Sequence, residues 1–433
     1  MVAPAVGTEL EQMDAFPNTS TETFPGAGAA WAAVDLAAGR GPGWLDDYLL
    51  EELPALVAVR RQLHAHPELA DAESATTALI LRSLQAVGIS GAVLPGGTGV
   101  VAEVGTGDRL VALRADIDAL PLNEASGLPF ASTVPGICHA CGHDVHTTAL
   151  IGAAQALAGA GPLPGRVRLI FQPAEEVMPG GSRRVVESGA LQGVERIFAL
   201  HCDPRLEVGK VGLKVGPITS TCDVVELRLT GRGGHTARPH LTADLIYALG
   251  VVITGLPALL TRRMNPRSVP VLVWGNVRSG VAANAIPEAA VLRGTLRLMD
   301  RSGWDLAEPL MTELVTELLS PTLAGFTLNY VRGLPPVDND PQCVEILRSA
   351  VESGLNPNSA AAAEQSTGAE DFAVYLDSVP GALARLGVWD GIGRQVDLHS
   401  PAFWADERAV GVGVRLLTKT ALAALAAPAP APR

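Results

Sequence analysis

The chain is poor in cysteine, in positive charge near its start and in long apolar runs, and each shortage excludes something. Five cysteines in 433 residues (Cys138, Cys141, Cys202, Cys222, Cys343) form an odd, sparse set that argues against a disulfide framework. No Lys or Arg precedes Arg40, so the Ala-rich stretch 26–38 lacks the basic flank of a secretory signal. No uninterrupted apolar run reaches membrane-spanning length. Thirty-two Lys and Arg against 45 Asp and Glu leave a net charge of −13, which offers no footprint for nucleic acid or an anionic membrane surface. The expectation is a soluble, reduced, cytoplasmic protein with a small-molecule partner, no nucleic acid and no membrane.

What is present is enough material for more than one core. A chain of 433 residues with 48% hydrophobic content is expected to divide into two domains. Residues 1–43, rich in Ala, Gly, Pro, Ser and Thr, read as a flexible extension, and 426–433, with alternating Ala and Pro, as a flexible tail. Amphipathic stretches 48–64 and 74–87 read as helices. Val- and Leu-rich segments at 99–104, 109–114, 166–171 and 195–200 read as strands, with a helix at 147–157 between them. That alternation predicts an α/β domain over 44–217, resumed over 332–425, with active groups at strand ends. Between its halves, 218–331 has its own rhythm: strand 224–230, helix 243–263, strands 269–277 and 289–298, helix 304–319, strand 326–331. This β-α-β-β-α-β order is ferredoxin-like and predicts an inserted domain.

The nine histidines are unevenly placed: His139, His143 and His146 crowd around Cys141. In His139-Ala-Cys141-Gly-His143, a thiolate and an imidazole two residues apart can face one cavity, the glycine permitting close backbone approach. An isolated Cys-x-His is more often a satisfied core pair, so the rest of the chain must decide. Cys138 and Cys141 also form Cys-x-x-Cys, yet no second such pair follows at zinc-ribbon spacing. The adjacent acids Glu175 and Glu176 close the strand at 166–171, where side chains face a cleft rather than open solvent. One carboxylate there can bind metal while its neighbour takes a proton from water. His201 follows the strand at 195–200 and precedes Cys202-Asp203-Pro204, a loop signal.

Five motifs in order resemble the M20 metallopeptidase family, in its amidohydrolase/aminoacylase branch. They are Leu63-His-Ala-His-Pro-Glu68-Leu, Leu113-Arg-Ala-Asp116-Ile-Asp118-Ala-Leu-Pro, His139-Ala-Cys-Gly-His-Asp, Phe171-Gln-Pro-Ala-Glu-Glu and Gly231-Arg-Gly-Gly-His235. The resemblance runs from about residue 50 to 425. It implies a zinc-peptidase-like α/β catalytic domain interrupted by a ferredoxin-like lid that also dimerises. It implies two divalent metal ions held by Cys141, as the bridging ligand, with His143, Glu176, His201 and His399, and Glu175 as general base. By the same resemblance His235, reaching from the partner subunit of a homodimer, stabilises the oxyanion, while Asn284 and Arg297 bind a substrate carboxylate. Asn284 reads equally as a turn residue and Arg297 as a solvated strand residue. Other branches carry His-x-Asp where this chain has Arg114-Ala-Asp116, and Asp where it has Cys141, so their substrates are not implied; His64, His66 and Asp116 are expected to be scaffold.

The implied activity is metal-dependent hydrolysis of the amide of an N-acyl amino acid or peptide-like substrate. The donor set suits zinc, manganese, cobalt or nickel. Three rivals remain open: a dipeptidase or carboxypeptidase of the same family, a cysteine hydrolase using Cys141 with His143 or His201, and a binding protein with purely structural zinc.

Overall fold

The computed structural model describes residues 42–430. The sequence-predicted extension over 1–43 therefore lies almost wholly outside the described residues. Helices α1 (Gly43–Ala65) and α2 (Ser74–Gln85) lead into strands β1 (Gly91–Val93), β2 (Val100–Gly105) and β3 (Leu110–Asp116). Helix α3 (His143–Gly159), β4 (Arg166–Gln172), the short α4 (Ser182–Glu187), β5 (Arg196–Glu207), β6 (Val211–Leu213) and β7 (Gly216–Pro217) follow. Next come β8 (Cys222–Thr230), β9 (Gly234–His235), α5 (Leu245–Arg263), β10 (Val271–Ser279), β11 (Ala285–Ile286), β12 (Ala289–Arg297), α6 (Arg301–Leu319) and β13 (Gly325–Leu334). The chain ends through β14 (Asp338–Asn339), α7 (Pro341–Gly354), β15 (Ala360–Ala362), α8 (Ala373–Leu376), β16 (Gly381–Trp389) and α9 (Arg408–Ala426).

Eight strands form one sheet in the order β1-β2-β4-β3-β5-β16-β6-β15. Its centre, β4-β3-β5-β16, is parallel, and β3 is buried at every position, as a strand covered on both faces must be. One face packs under α1, α2, α3, α7 and α9 through residues such as Leu53, Leu113, Leu150, Leu200 and Val414. Ile170, Ile197, Ala199, Leu383, Phe372 and Tyr375 fill the other.

The second sheet, β10-β12-β8-β13, is antiparallel throughout. Strand β8 alternates buried and accessible residues, so only one face is covered, by α5 and α6 through Leu227, Leu249, Leu292 and Leu314. The order β8, α5, β10, β12, α6, β13 is the β-α-β-β-α-β expected, with a core separate from that of the large sheet. The two crossings of the chain between the sheets are tied together by the β7–β14 ladder.

Three details differ from the sequence expectation. Strand β5 runs through Cys202-Asp203-Pro204 to Glu207 rather than ending before His201, because β16 continues to pair with it up to Gly387, and again at Trp389. The tail begins tied down, since Arg109 Nη1 donates to the Ala427 carbonyl at 2.6 Å and Arg196 Nη2 to that of Pro428 at 2.6 Å. Two 19-residue helices, α5 and α9, do prove long and apolar enough by length and composition to cross a membrane. Helix α9 is instead a core element, while α5 lays one face on its sheet and leaves Ile246 and Tyr247 exposed.

Candidate active site

Three loops at strand ends, together with His201 inside β5, bring the predicted donors together. Between Cys141 and His143 the backbone turns at Gly142, where φ is +83°, and a Cβ there would lie 2.7 Å from Cys202 Sγ; only glycine fits. The turn starts α3 with His143, whose side chain is wholly buried. After β4, Ala174 takes a positive φ of 58°, and its N–H donates to Glu73 at 2.8 Å, which swings Glu175 and Glu176 inward. The Glu176 N–H is held by Asp118 Oδ2 at 2.9 Å. His399, at φ +60°, is anchored through its N–H on the Ala140 carbonyl at 2.8 Å.

The five predicted ligands fall into two overlapping groups that share Cys141. One is Cys141, His143 and His201; the other is Cys141, Glu176 and His399. Cys141 Sγ lies 3.6 Å from His201 Nε2, Glu176 Oε1 lies 3.8 Å from His143 Nε2, and His399 Nε2 lies 3.3 Å from Glu176 Oε1. His143 Nδ1 sits 2.9 Å from the Asp118 carbonyl, and His201 Nδ1 sits 2.8 Å from that of Cys202. A carbonyl only accepts, so each ring donates from Nδ1 and turns Nε2 toward the shared cavity. His143 Nε2 and Glu176 Oε1 are buried without a hydrogen-bond partner. Such orphans demand a partner, and thiolate, imidazole and carboxylate facing one another fit a divalent metal.

The electrostatics point the same way. Burial, together with Glu176, Glu175 and Asp116, pushes the Cys141 thiol well above its ordinary range. Burial alone would depress His143, yet Asp116, Asp118 and Glu176 outweigh it and raise its pKa to about 10. The spot calls for positive charge, either a proton or a metal ion. Burial, Arg385 and His146 hold His201 well below its usual range, so that ring stays neutral and free to ligate. Glu175 is pushed well up by burial and by Glu370, Glu176 and Asp371.

Beneath the donors, Arg114 is fully buried and bonds Asp116 at 2.6 Å, Asp371 at 2.9 Å, Glu370 at 3.1 Å and Gln172 at 2.9 Å. It supplies the cation that this acidic cluster needs. Asp116 also accepts from His146 Nδ1 at 2.6 Å, and His146 Nε2 accepts the Cys202 N–H at 2.8 Å. His146 is thereby satisfied on both sides, though it crowds Cys141 in sequence. His64 bonds Asp144 at 2.9 Å and Glu124 at 3.1 Å, which makes it scaffold.

The inserted sheet holds the remaining three candidates. His235 and Asn284 stand together on the β9–β11 ladder, where His235 pairs with Ala285 and the Thr236 N–H donates to the Asn284 carbonyl at 3.2 Å. His235 is exposed, and its Nδ1 accepts from the Ala237 N–H at 3.0 Å. Arg297 Nη1 donates to the Thr367 carbonyl at 2.9 Å, in the loop between β15 and α8. Among the described residues no hydrogen bond or ion pair joins these three to the five donors. Two residues beside the donors were not singled out from sequence: Asp118, which contacts both His143 and Glu176, and Arg385, which pairs with His201 across β5 and β16. The signal for Arg385 was a lone charge inside the otherwise apolar strand 381–388.

A family model described as Peptidase family M20/M25/M40 matches residues 112–423. A Rhodococcus jostii protein named as a glutamate–cysteine ligase is 53% identical over 376 residues, 86% of this chain. The chain spans only 47% of that protein's length, so its ligase name carries nothing over. The N-acetyl-L-cysteine deacetylase of Bacillus subtilis is 37% identical, over 82% of this chain and 84% of its own. Among solved structures, the YXEP protein of Bacillus subtilis, described as a dinuclear metal-binding peptidase of the M20 family, is similar with a TM-score of 0.76. Its identity is 35%, over 86% of this chain and 98% of its own. With that match spanning both sheets and a donor set of metal-binding chemistry in which Cys141, His143 and His201 are buried, the chain belongs to peptidase family M20/M25/M40 and is a metal-dependent amidohydrolase.

Proposed function

We propose that this chain hydrolyses the amide bond of an N-acyl amino acid, with Cys141, His143, Glu176, His201 and His399 holding two divalent ions. The observation that carries this reading is the pair of donor trios sharing Cys141 around the unpartnered His143 Nε2 and Glu176 Oε1. Bound divalent ions would polarise the amide carbonyl and acidify water. Glu175 is the general base: it takes the proton from the attacking water and returns it to the leaving amine. Its placement among Glu370, Asp371 and Glu176 suits the task, because a carboxylate surrounded by others holds a proton more readily than an isolated one.

The homodimer and the roles of the lid residues belong to the same proposal. Strand β10 is an open edge of its sheet, with Val271, Val273 and Val277 exposed, and α5 presents Ile246 and Tyr247 nearby on the same inserted unit. An unprotected edge beside an apolar helix face suits a second copy of this chain, edge to edge. In that dimer His235 of one copy stabilises the oxyanion in the other, and Asn284 and Arg297 receive the substrate's α-carboxylate.

The test is a panel of acetyl, benzoyl and long-chain N-acyl amino acids, and of dipeptides, assayed with manganese, zinc or cobalt. Turnover of acyl amino acids that stops on chelation supports the reading; cleavage of dipeptides alone replaces it with a dipeptidase.

A further inference from the structure

Arg385 is a buried cation that contacts no carboxylate directly among the described residues. It lies in β16 directly beside His201 in the parallel pairing with β5, so both side chains share one face of the sheet. The residue is 5% exposed, its Nε is buried without a hydrogen-bond partner, and it forms no ion pair among the described residues. The two carboxylates whose charge reaches it, Asp203 and Glu370, are each anchored on another group, although Glu370 keeps Oε2 without a partner. Asp203 forks onto Arg205, at 2.9 Å to Nε and 2.7 Å to Nη2. Glu370 Oε1 is shared between Arg114 at 3.1 Å and the Phe372 N–H at 2.9 Å.

A buried, unpaired guanidinium is strongly destabilising, and proteins keep one where a ligand completes it. Its neighbours say what kind of ligand. Cys141 and His201 are close enough for Arg385 and each of them to feel the other's charge, and both belong to the proposed metal set. Positive charge on two sides selects an anion, and a fork of N–H donors selects a planar one. Asn284, beside the β9–β11 ladder, and Arg297, on β12, both assigned to the α-carboxylate, stand on the inserted unit, whereas Arg385 stands on the large sheet and is a separate anchor.

We infer that Arg385 is a specificity-determining residue that receives a second carboxylate of the substrate, carried either on the acyl group or on the amino-acid side chain. The substrate class is therefore a dicarboxylic N-acyl amino acid. This rests on the amide-hydrolase reading above, and the experiment separates the two.

Wild type, Arg385→Met and Arg385→Lys are compared on N-acetyl-leucine, N-acetyl-glutamate and N-succinyl-leucine, with the metal content of each protein measured. The ratio of kcat/KM for a dicarboxylic substrate to that for N-acetyl-leucine should fall roughly 30-fold or more in Arg385→Met, chiefly through KM, with partial recovery in Arg385→Lys. Whichever dicarboxylic substrate responds identifies the source of the second carboxylate. An unchanged ratio, an equal loss on all three substrates or a loss of metal overturns the assignment. Calorimetry of the metal-loaded proteins with glutarate and butyrate gives a readout independent of turnover. Glutarate binding that Arg385→Met weakens supports the anchor even if no amide is cleaved, in which case the amide-hydrolase reading alone fails. Glutarate binding that is absent or indifferent to the substitution overturns it.

Discussion

His143 and Glu176 face each other across 3.8 Å, and the two facing atoms, Nε2 and Oε1, are both buried without a hydrogen-bond partner. Asp118 holds the pair in place, accepting from His143 Nδ1 through its carbonyl and from the Glu176 N–H through its carboxylate. Replacing Asp118 by Ala leaves the carbonyl that holds His143 but removes the carboxylate from the Glu176 N–H, and should weaken metal binding about 10- to 100-fold, the usual effect of losing a group that orients ligands. Titration of the metal-free protein with manganese or zinc, followed by calorimetry, measures it; unchanged affinity would dismiss the Asp118 carboxylate as an orienting group.

Glu175 stands beside the ligands and carries a different expectation. Glu175→Gln should keep the full metal content while kcat falls by about 10²- to 10⁴-fold, as expected for a general base. Elemental analysis of the purified variant alongside its kinetics tests both halves, and near-normal turnover would refute the role.

The lid prediction is intermolecular. His235→Ala and Glu175→Gln should each be nearly inactive, yet mixing them under conditions that exchange subunits should restore activity that neither has alone, because a hybrid dimer retains one intact site. Val273→Lys, on the exposed edge of β10, should shift sedimentation from dimer to monomer. A fully active monomer would discard both the dimer and the role of His235.

Stability should respond to acid through Glu124. Burial alone would raise its pKa, but hydrogen bonds from His64, Ser126 and the Ser132 N–H hold it down from 4.5 to about 2. A carboxyl depressed on folding stabilises above its unfolded pKa and loses that contribution as pH falls toward its folded one. The advantage of wild type over Glu124→Gln in urea midpoint should thus be full near pH 6, shrink below pH 4.5 and vanish near pH 2. A difference independent of pH would show that the carboxylate's charge is immaterial.

The motifs around Cys141, His143, Glu175 and Glu176 pointed to metal chemistry because ligation restricts residue type and local spacing, and both are written in the chain, whereas His201 and His399 were proposed from the family resemblance. The β-α-β-β-α-β rhythm of the inserted unit was equally legible, since strand and helix periods differ wherever one face is covered, as in β8. Local pattern misled at His201, where Asp203-Pro204 looked like a loop, although pairing with β16 carries β5 onward to Glu207. Pairing of that kind is a property of two distant segments and leaves no mark on either alone.

The residue types of the five proposed donors are thus written in the sequence, whereas their convergence belongs to the tertiary structure. His399 reaches Glu176 only because the loop before α9 folds back onto Ala140, a contact across more of the chain than any local pattern spans. The solitude of Arg385 is likewise a tertiary fact: the residue is visible in the sequence, but whether a buried charge has a partner depends on which carboxylates the fold has already given to Arg205 and Arg114.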